Sequence, residues 1–269
     1  MTALIGYARM PKNLELSMSH PIEYAVNGSV GTLCINHEER HNSLGAVELK
    51  GMSEVLDLIE ADSELRVLVV TGAGEKTFCA GASLDDLNSG ALKPDAFQSV
   101  MHRLANLAIP TLARVNGNVF GGGTELALSC DFRVGVVGTR LRVPAAAFGL
   151  CYPPAGISLF VEKLGASVAR RMLVASEAMD AVEAHRIGFY DYLVPKEELD
   201  ERVEELALHM AGLAPLATKA MKELIVQAGR GAIDLSRASE LSRLCDESDD
   251  LQEGFAAQRE KRMPEFSGT

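Results

Sequence analysis

The residues best placed to do chemistry lie in two glycine-bearing stretches, 67–87 (VLVVTGAGEKTFCAGASLDDL) and 110–131 (PTLARVNGNVFGGGTELALSCD). Each passes from a β-branched run through glycines into a helix-like segment. A turn of this kind leaves backbone N–H groups without intrachain partners and aims them at one point. Two such groups converging from separate loops form an oxyanion hole, which stabilises charge building up on a carbonyl oxygen. Gly121-Gly122-Gly123 cost backbone entropy and are tolerated where the chain must approach something closely or take φ > 0. A tight structural turn would account for them alone. Glu125 weakens that explanation, because a carboxyl amid Leu126, Ala127 and Leu128 needs a partner or a raised pKa. Either makes it a candidate acid or base.

Other motifs fall away on their spacing. Thr71-Gly72-Ala73-Gly74-Glu75-Lys76-Thr77 follows a strand, but a dinucleotide fingerprint needs glycine at Thr77, and a phosphate loop does not admit Glu75 before Lys76. Gly81-Ala82-Ser83-Leu84-Asp85 has Asp85 where a nucleophile elbow closes on glycine, so Ser83 reads as a helix-capping hydroxyl. Asp85 and Asp86 are adjacent and answer a helix dipole rather than forming a facing pair. His102 reads as an exposed or core histidine.

The elements that must position these loops fit one large α/β unit. At 269 residues and 47% hydrophobic, the chain can bury a sizeable core. Asn27-Gly28 between apolar runs 22–26 and 30–35 signals a hairpin. Helical spacing runs over 43–61, and 67–70 is apolar throughout, as a strand covered on both faces should be. Residues 86–108 read as mostly helical, 112–115 as a strand, 125–129 as a helix start and 132–137 as a strand. Short helices follow at 167–176 and 181–187, and a strand at 190–194. Past Pro195 helical patterns remain, at 199–213, 215–227, 235–244 and 252–262. The division is an N-terminal arm at 1–21, an α/β core at 22–197 and a helical region at 198–269.

Bulk properties bound the partners. A net charge of −11 argues against nucleic acid or an anionic membrane surface as partner. No run approaches the roughly 20 apolar residues of a membrane span, and no secretory or peroxisomal signal is present, so a cytoplasmic location is expected. Cys34, Cys79, Cys130, Cys151 and Cys245 show no metal spacing and read as free thiols in a reducing compartment. No metal site is expected.

The two glycine-bearing stretches together resemble the enoyl-CoA hydratase/isomerase (crotonase) superfamily. TGAGEKTFCAGASL is similar to its first oxyanion loop, and AxVNGxxxGGGTELALSCD to its second. ERHNSL (39–44) resembles the CoA-entry segment, AxRIGFYDYLVP from Ala184 the close of the core, and EGFAAQREKRMPEF from Glu253 the terminal helix. The match spans roughly residues 22 to 266. It implies a crotonase-like spiral of ββα units, with a C-terminal helical trimerisation region and assembly as a homotrimer or dimer of trimers. The substrate it implies is an acyl-CoA, which brings its own coenzyme A, with no separate cofactor. Carried over by position, the resemblance implies that the Ala82 and Gly122 N–H groups bind the thioester oxygen. Ala80 would meet the adenine, Arg40 and Leu44 would flank the CoA, and Lys261 with Phe266 would close over it from a neighbouring subunit. Lys261 and Arg262 would supply local positive charge.

Glu125 matches one of the two family glutamates that hydrate a double bond. The position matching the other, in LRVPAAAFGLCYPPAGIS (141–158), is Ala145, which cannot move a proton. Tyr152 is a candidate substitute donor, weak at a reference pKa near 10, and packing in the acyl pocket is its other role. The expected activity is enoyl-CoA hydratase-like. Isomerisation, decarboxylation or another lyase reaction on an acyl-CoA enolate are alternatives, as is acyl-CoA binding without catalysis.

Overall fold

The computed structural model describes residues 21–269, so the expected N-terminal arm lies outside the described residues except for its last position. Strands β1 (Ile22–Asn27), β2 (Val30–Ile35), β3 (Val67–Gly72), β5 (Thr111–Val115), β7 (Phe132–Val136) and β10 (Tyr192–Val194) form a six-stranded sheet in that order. β1 and β2 pair antiparallel, and every later pair in this sheet is parallel. The hairpin turn is shifted one residue from the Asn27-Gly28 expected. Asn27 pairs with Val30, which leaves Gly28-Ser29 as the loop, with Gly28 at φ 58. A positive φ at the first loop position is what a type II′ hairpin demands.

A second sheet of four short strands follows the order β4 (Thr77–Cys79), β6 (Asn118–Phe120), β8 (Arg140–Arg142) and β9 (Met179–Asp180). Each of β3, β5 and β7 therefore leaves the large sheet, turns into a strand of the small one, and continues into helix. After β4 come α2 (Leu84–Ser89) and α3 (Pro94–Ala105), after β6 comes α4 (Gly122–Leu128), and after β8 comes α5 (Pro154–Ala169). These ββα turns are the spiral that the sequence implied.

Period-2 alternation sends the large sheet's side chains to two cores. Leu68 and Val70 face the main core, with Leu33, Ile35 and Val115, against α1 (Ala46–Ala61) and α3. Val67 and Val69 face the other way, with Leu112, Val134 and Val136, onto Leu199, Val203 and Ala207 of α7 (Leu199–Ala211). α7 thus covers the back of the sheet. α6 (Ala181–Arg186) joins β9 towards β10, and α8 (Pro215–Gly229), α9 (Leu235–Asp246) and α10 (Asp249–Glu260) complete the chain. Lys222 of α8, buried, donates to Asp131 Oδ2 at 2.6 Å and to the Ile109 carbonyl at 2.8 Å, pinning these helices to the core.

Three helical expectations change. The helix over 86–108 is split, because Gly90 ends α2 in the left-handed region at φ 74 and Lys93 before Pro94 is extended. α4 starts at Gly122, three residues before Glu125. The helix over 167–176 is the tail of a longer one, α5, which bends at Gly165 (φ 78) and ends in a π turn over Arg170–Val174. Among the described residues, no helix is long and apolar enough to cross a membrane.

Candidate active site

The first loop is fixed by the segment 41–44. Leu44 N–H donates to the Gly81 carbonyl at 2.7 Å, Ser83 N–H to the Leu44 carbonyl at 2.9 Å, and Ala80 N–H to the His41 carbonyl at 3.0 Å. Leu44 and Ala82 form a parallel bridge. Alternation along an extended strand then turns the Ala82 N–H away from Leu44. It has no hydrogen-bond partner among the described residues, nor has the Gly122 N–H at the start of α4. Its neighbours are engaged: Gly121 N–H donates to the Arg142 carbonyl at 2.9 Å and Thr124 N–H to the Gly121 carbonyl at 3.0 Å. A methyl group on Gly122 would stand 3.3 Å from the Ala82 nitrogen, so the two free amides are close neighbours. Two preorganised donors so placed can hold a carbonyl oxygen as charge develops on it.

The glycines are needed to bring the loops together. Gly121 takes φ 52, and a Cβ on Gly123 would come within 2.2 Å of the Cys79 carbonyl oxygen. Ser83 caps α2 as expected, accepting from Asp86 N–H at 3.3 Å. Asp86 does more than answer its own helix dipole, since its Oδ2 also accepts from Ala46 N–H at 2.9 Å at the start of α1. The entry segment is braced in turn by buried Asn42, whose amide reaches the Ala73 and Thr77 carbonyls.

Glu125, only 2% exposed, sits in the first turns of α4. The sequence required a partner or a raised pKa, and it has both. Gln98 Nε2 of α3 donates to its Oε1 at 3.0 Å. Burial pushes the Glu125 carboxyl up, with Tyr152 and Gln98 pulling it part of the way back. Gly156 on α5 flanks the other oxygen, because a Cβ there would lie 3.0 Å from Glu125 Oε2 and 2.5 Å from Tyr152 Cε1. Tyr152 is therefore beside the carboxyl. Its ring packs edge-on to Phe160, with centroids 5.5 Å apart. Among the described residues its buried hydroxyl has no hydrogen-bond partner. Burial, and then the Glu125 charge, hold that phenol well above its usual range, so it stays protonated. Ala145 is buried in the main core.

Phe97 and Gln98 are the site residues that sequence reasoning missed. A Cβ on Gly122 would meet Phe97 Cζ at 2.6 Å, so one turn of α3 touches both the amide pair and the carboxyl. The one signal was a glutamine flanking the apolar stripe of Phe97, Val100, Met101 and Leu104. His102 is exposed.

The remaining expected residues are more dispersed. Ala80 lines a cavity of about 540 Å³ with His41, Lys76, Phe120 and Lys196. Arg40 is exposed and paired with Asp85 at 2.9 Å. Leu44 is 0% exposed, and its backbone braces the first loop. Lys261 ends α10 at φ 56, and Phe266 lines a different cavity, with Ala214, Leu216 and Phe255. Arg262 is not free positive charge, because Glu253 and Glu260 pair with it. Among the described residues, no three His, Cys, Asp or Glu side chains gather as they would around a metal ion.

Two free backbone amides beside a buried carboxyl, carried on an α/β scaffold, are an arrangement able to stabilise an oxyanion. The chain matches the enoyl-CoA hydratase/isomerase family over residues 25–269, and it belongs to that family. It is 32% identical to a short-chain-enoyl-CoA hydratase of Clostridium acetobutylicum over 245 residues, 88% of this chain and 94% of that one. It is 33% identical to a carnitinyl-CoA dehydratase of Proteus mirabilis, over 93% of this chain and 100% of that one. Among solved structures, it is similar to an enoyl-CoA hydratase/carnithine racemase from Magnetospirillum magneticum, with a TM-score of 0.87 and 26% identity over 94% of this chain and 97% of that one.

Proposed function

We propose that the protein adds water to the double bond of a 2-enoyl-CoA, with the thioester oxygen held between the Ala82 and Gly122 N–H groups and Glu125 as acid and base. The observation that carries this reading is the pair of unpartnered amides beside a buried carboxyl. Glu125 takes a proton from water as the oxygen bonds to C3, and the π electrons move onto the thioester oxygen. The enolate collapses as C2 takes the proton. With Ala145 in place of a second carboxyl, Glu125 itself returns that proton, and the protonated Tyr152 phenol is placed to donate a hydrogen bond to the water. Loss of one positioned acid typically costs about 10²–10⁴-fold, so hydration is slow beside a two-carboxylate enzyme. Relatives named short-chain-enoyl-CoA hydratase and carnitinyl-CoA dehydratase support the assignment.

Coenzyme A arrives with the substrate, and no separate cofactor takes part. The cavity at Ala80, with Lys76 and His41 on its wall, suits the nucleotide end. Exposed Met221, Ile225, Leu235 and Phe255 on the C-terminal helices support assembly as a homotrimer or dimer of trimers, in which a partner's Lys261 and Phe266 would reach the CoA. Free Cys34, Cys79 and Cys130, all buried, suit a reducing cytoplasm.

Ala145 also favours a second reading, an isomerase, decarboxylase or other lyase that needs a single base. A panel of 2-enoyl-, 3-enoyl- and malonyl-type CoA thioesters, read by mass spectrometry with a binding control, separates the two. Crotonyl-CoA gaining the mass of one water, and losing that activity in Glu125→Gln with binding retained, is the expected result. Binding without any product would leave an acyl-CoA-binding protein.

A further inference from the structure

We propose that Gln98 is the positioning residue that makes one oxygen of Glu125, Oε2, both the acceptor and the donor of the transferred proton. The inference rests on Glu125 being the acid and base. A carboxyl turns readily about its last torsion, which has a broad twofold profile. In a site with one carboxyl, that freedom lets the proton settle on the wrong oxygen. Gln98 Nε2 donates to Oε1 at 3.0 Å, with the Glu125 side chain buried. An N–H group already pointing at Oε1 leaves no room for a proton there, so protonation goes to Oε2. That oxygen lies on the Gly156 flank, shared with the Tyr152 ring and its unpartnered buried hydroxyl. The amide keeps the same bond in both protonation states, because a neutral carboxyl with its proton on Oε2 still accepts at Oε1. The same turn of α3 sets Phe97 against Gly122, so the carboxyl is held in register with the amide pair.

The test is Gln98→Met, which keeps length and removes the donor. Its readouts are the infrared titration of the buried carboxyl, with Glu125→Gln as the blank, and the split between kcat and KM on crotonyl-CoA. The Gln98 hydrogen bond favours the charged carboxylate, so its loss moves the Glu125 titration, and the acid limb of kcat/KM, to higher pH. We expect kcat to fall about 10- to 100-fold with KM within about twofold, the pattern of a misaligned proton carrier. A titration that stays in place, with kcat unchanged, overturns the proposal. Gln98→Leu also removes the donor and adds no titrating group. It decides by the same two readouts should the methionine variant not fold. The infrared titration reports on the carboxyl whether or not it is catalytic. Unmoved values with Glu125→Gln inactive sink the positioning role alone, whereas full turnover in Glu125→Gln sinks the function itself.

Discussion

Gly81 lies so tightly against Gly122 that a Cβ on the first would come within 2.3 Å of the second's nitrogen. Gly81 also takes φ 86, where L-residues are strained. The gap between the oxyanion loops is thus set by the absence of one methyl group. Gly81→Ala pushes the loops apart and is expected to lower kcat/KM by about 10²–10³, the cost of losing one oxyanion donor. Steady-state kinetics alongside circular dichroism checks this, and an active, well-folded variant would show that the loop spacing does not matter.

Gly156 plays the matching part on the other side, letting the Tyr152 ring reach the carboxyl. It is helical, so Gly156→Ala carries no backbone penalty, but its Cβ would overlap Tyr152 Cε1 at 2.5 Å. The ring must shift away from Glu125. Hydration is expected to slow by about 10²-fold, as misplacements near 1 Å do elsewhere. Tyr152→Phe should slow it by a similar factor if the phenol serves the water. Equal rates in all three proteins would reduce Tyr152 to packing.

The raised Glu125 carboxyl also has a consequence for stability. Burial lifts its pKa in the folded state above that of the unfolded chain, so the native protein binds this proton more tightly. The resulting stability is full below the unfolded value near 4.3 and is lost as pH rises through the folded one. Glu125→Gln is neutral at every pH. It should melt higher than wild type at pH 8, with the difference closing by pH 4, as followed by calorimetry. A variant less stable at pH 8 would contradict a burial cost on the Glu125 charge.

How much of this was legible in the chain depended on length and on partners. Residues 67–70 could be read as a covered strand because four valine or leucine residues stand in a row, and the 22–35 hairpin because glycine marks its turn. β4, β6, β8 and β9 could not, since runs of two or three residues show no period and exist only through their ladders. The first half of α5 was hidden behind Tyr152-Pro153-Pro154, which reads as loop although proline is at home in a first helical turn. Glu125 stood out as an ionisable group in an apolar run. Gln98 did not, because its partner is 27 positions away and nothing local distinguishes it from a solvated glutamine.

The proposed chemistry needs the Ala82 and Gly122 amides to grip the thioester oxygen. Difference Raman spectroscopy of crotonyl-CoA bound to Glu125→Gln, with the thioester carbonyl carbon isotopically labelled, tests it most directly. The expected result is a carbonyl stretch shifted well below its solution frequency, and a shift largely lost when Gly81→Ala is added. A bound thioester whose carbonyl vibrates as it does in water would contradict it.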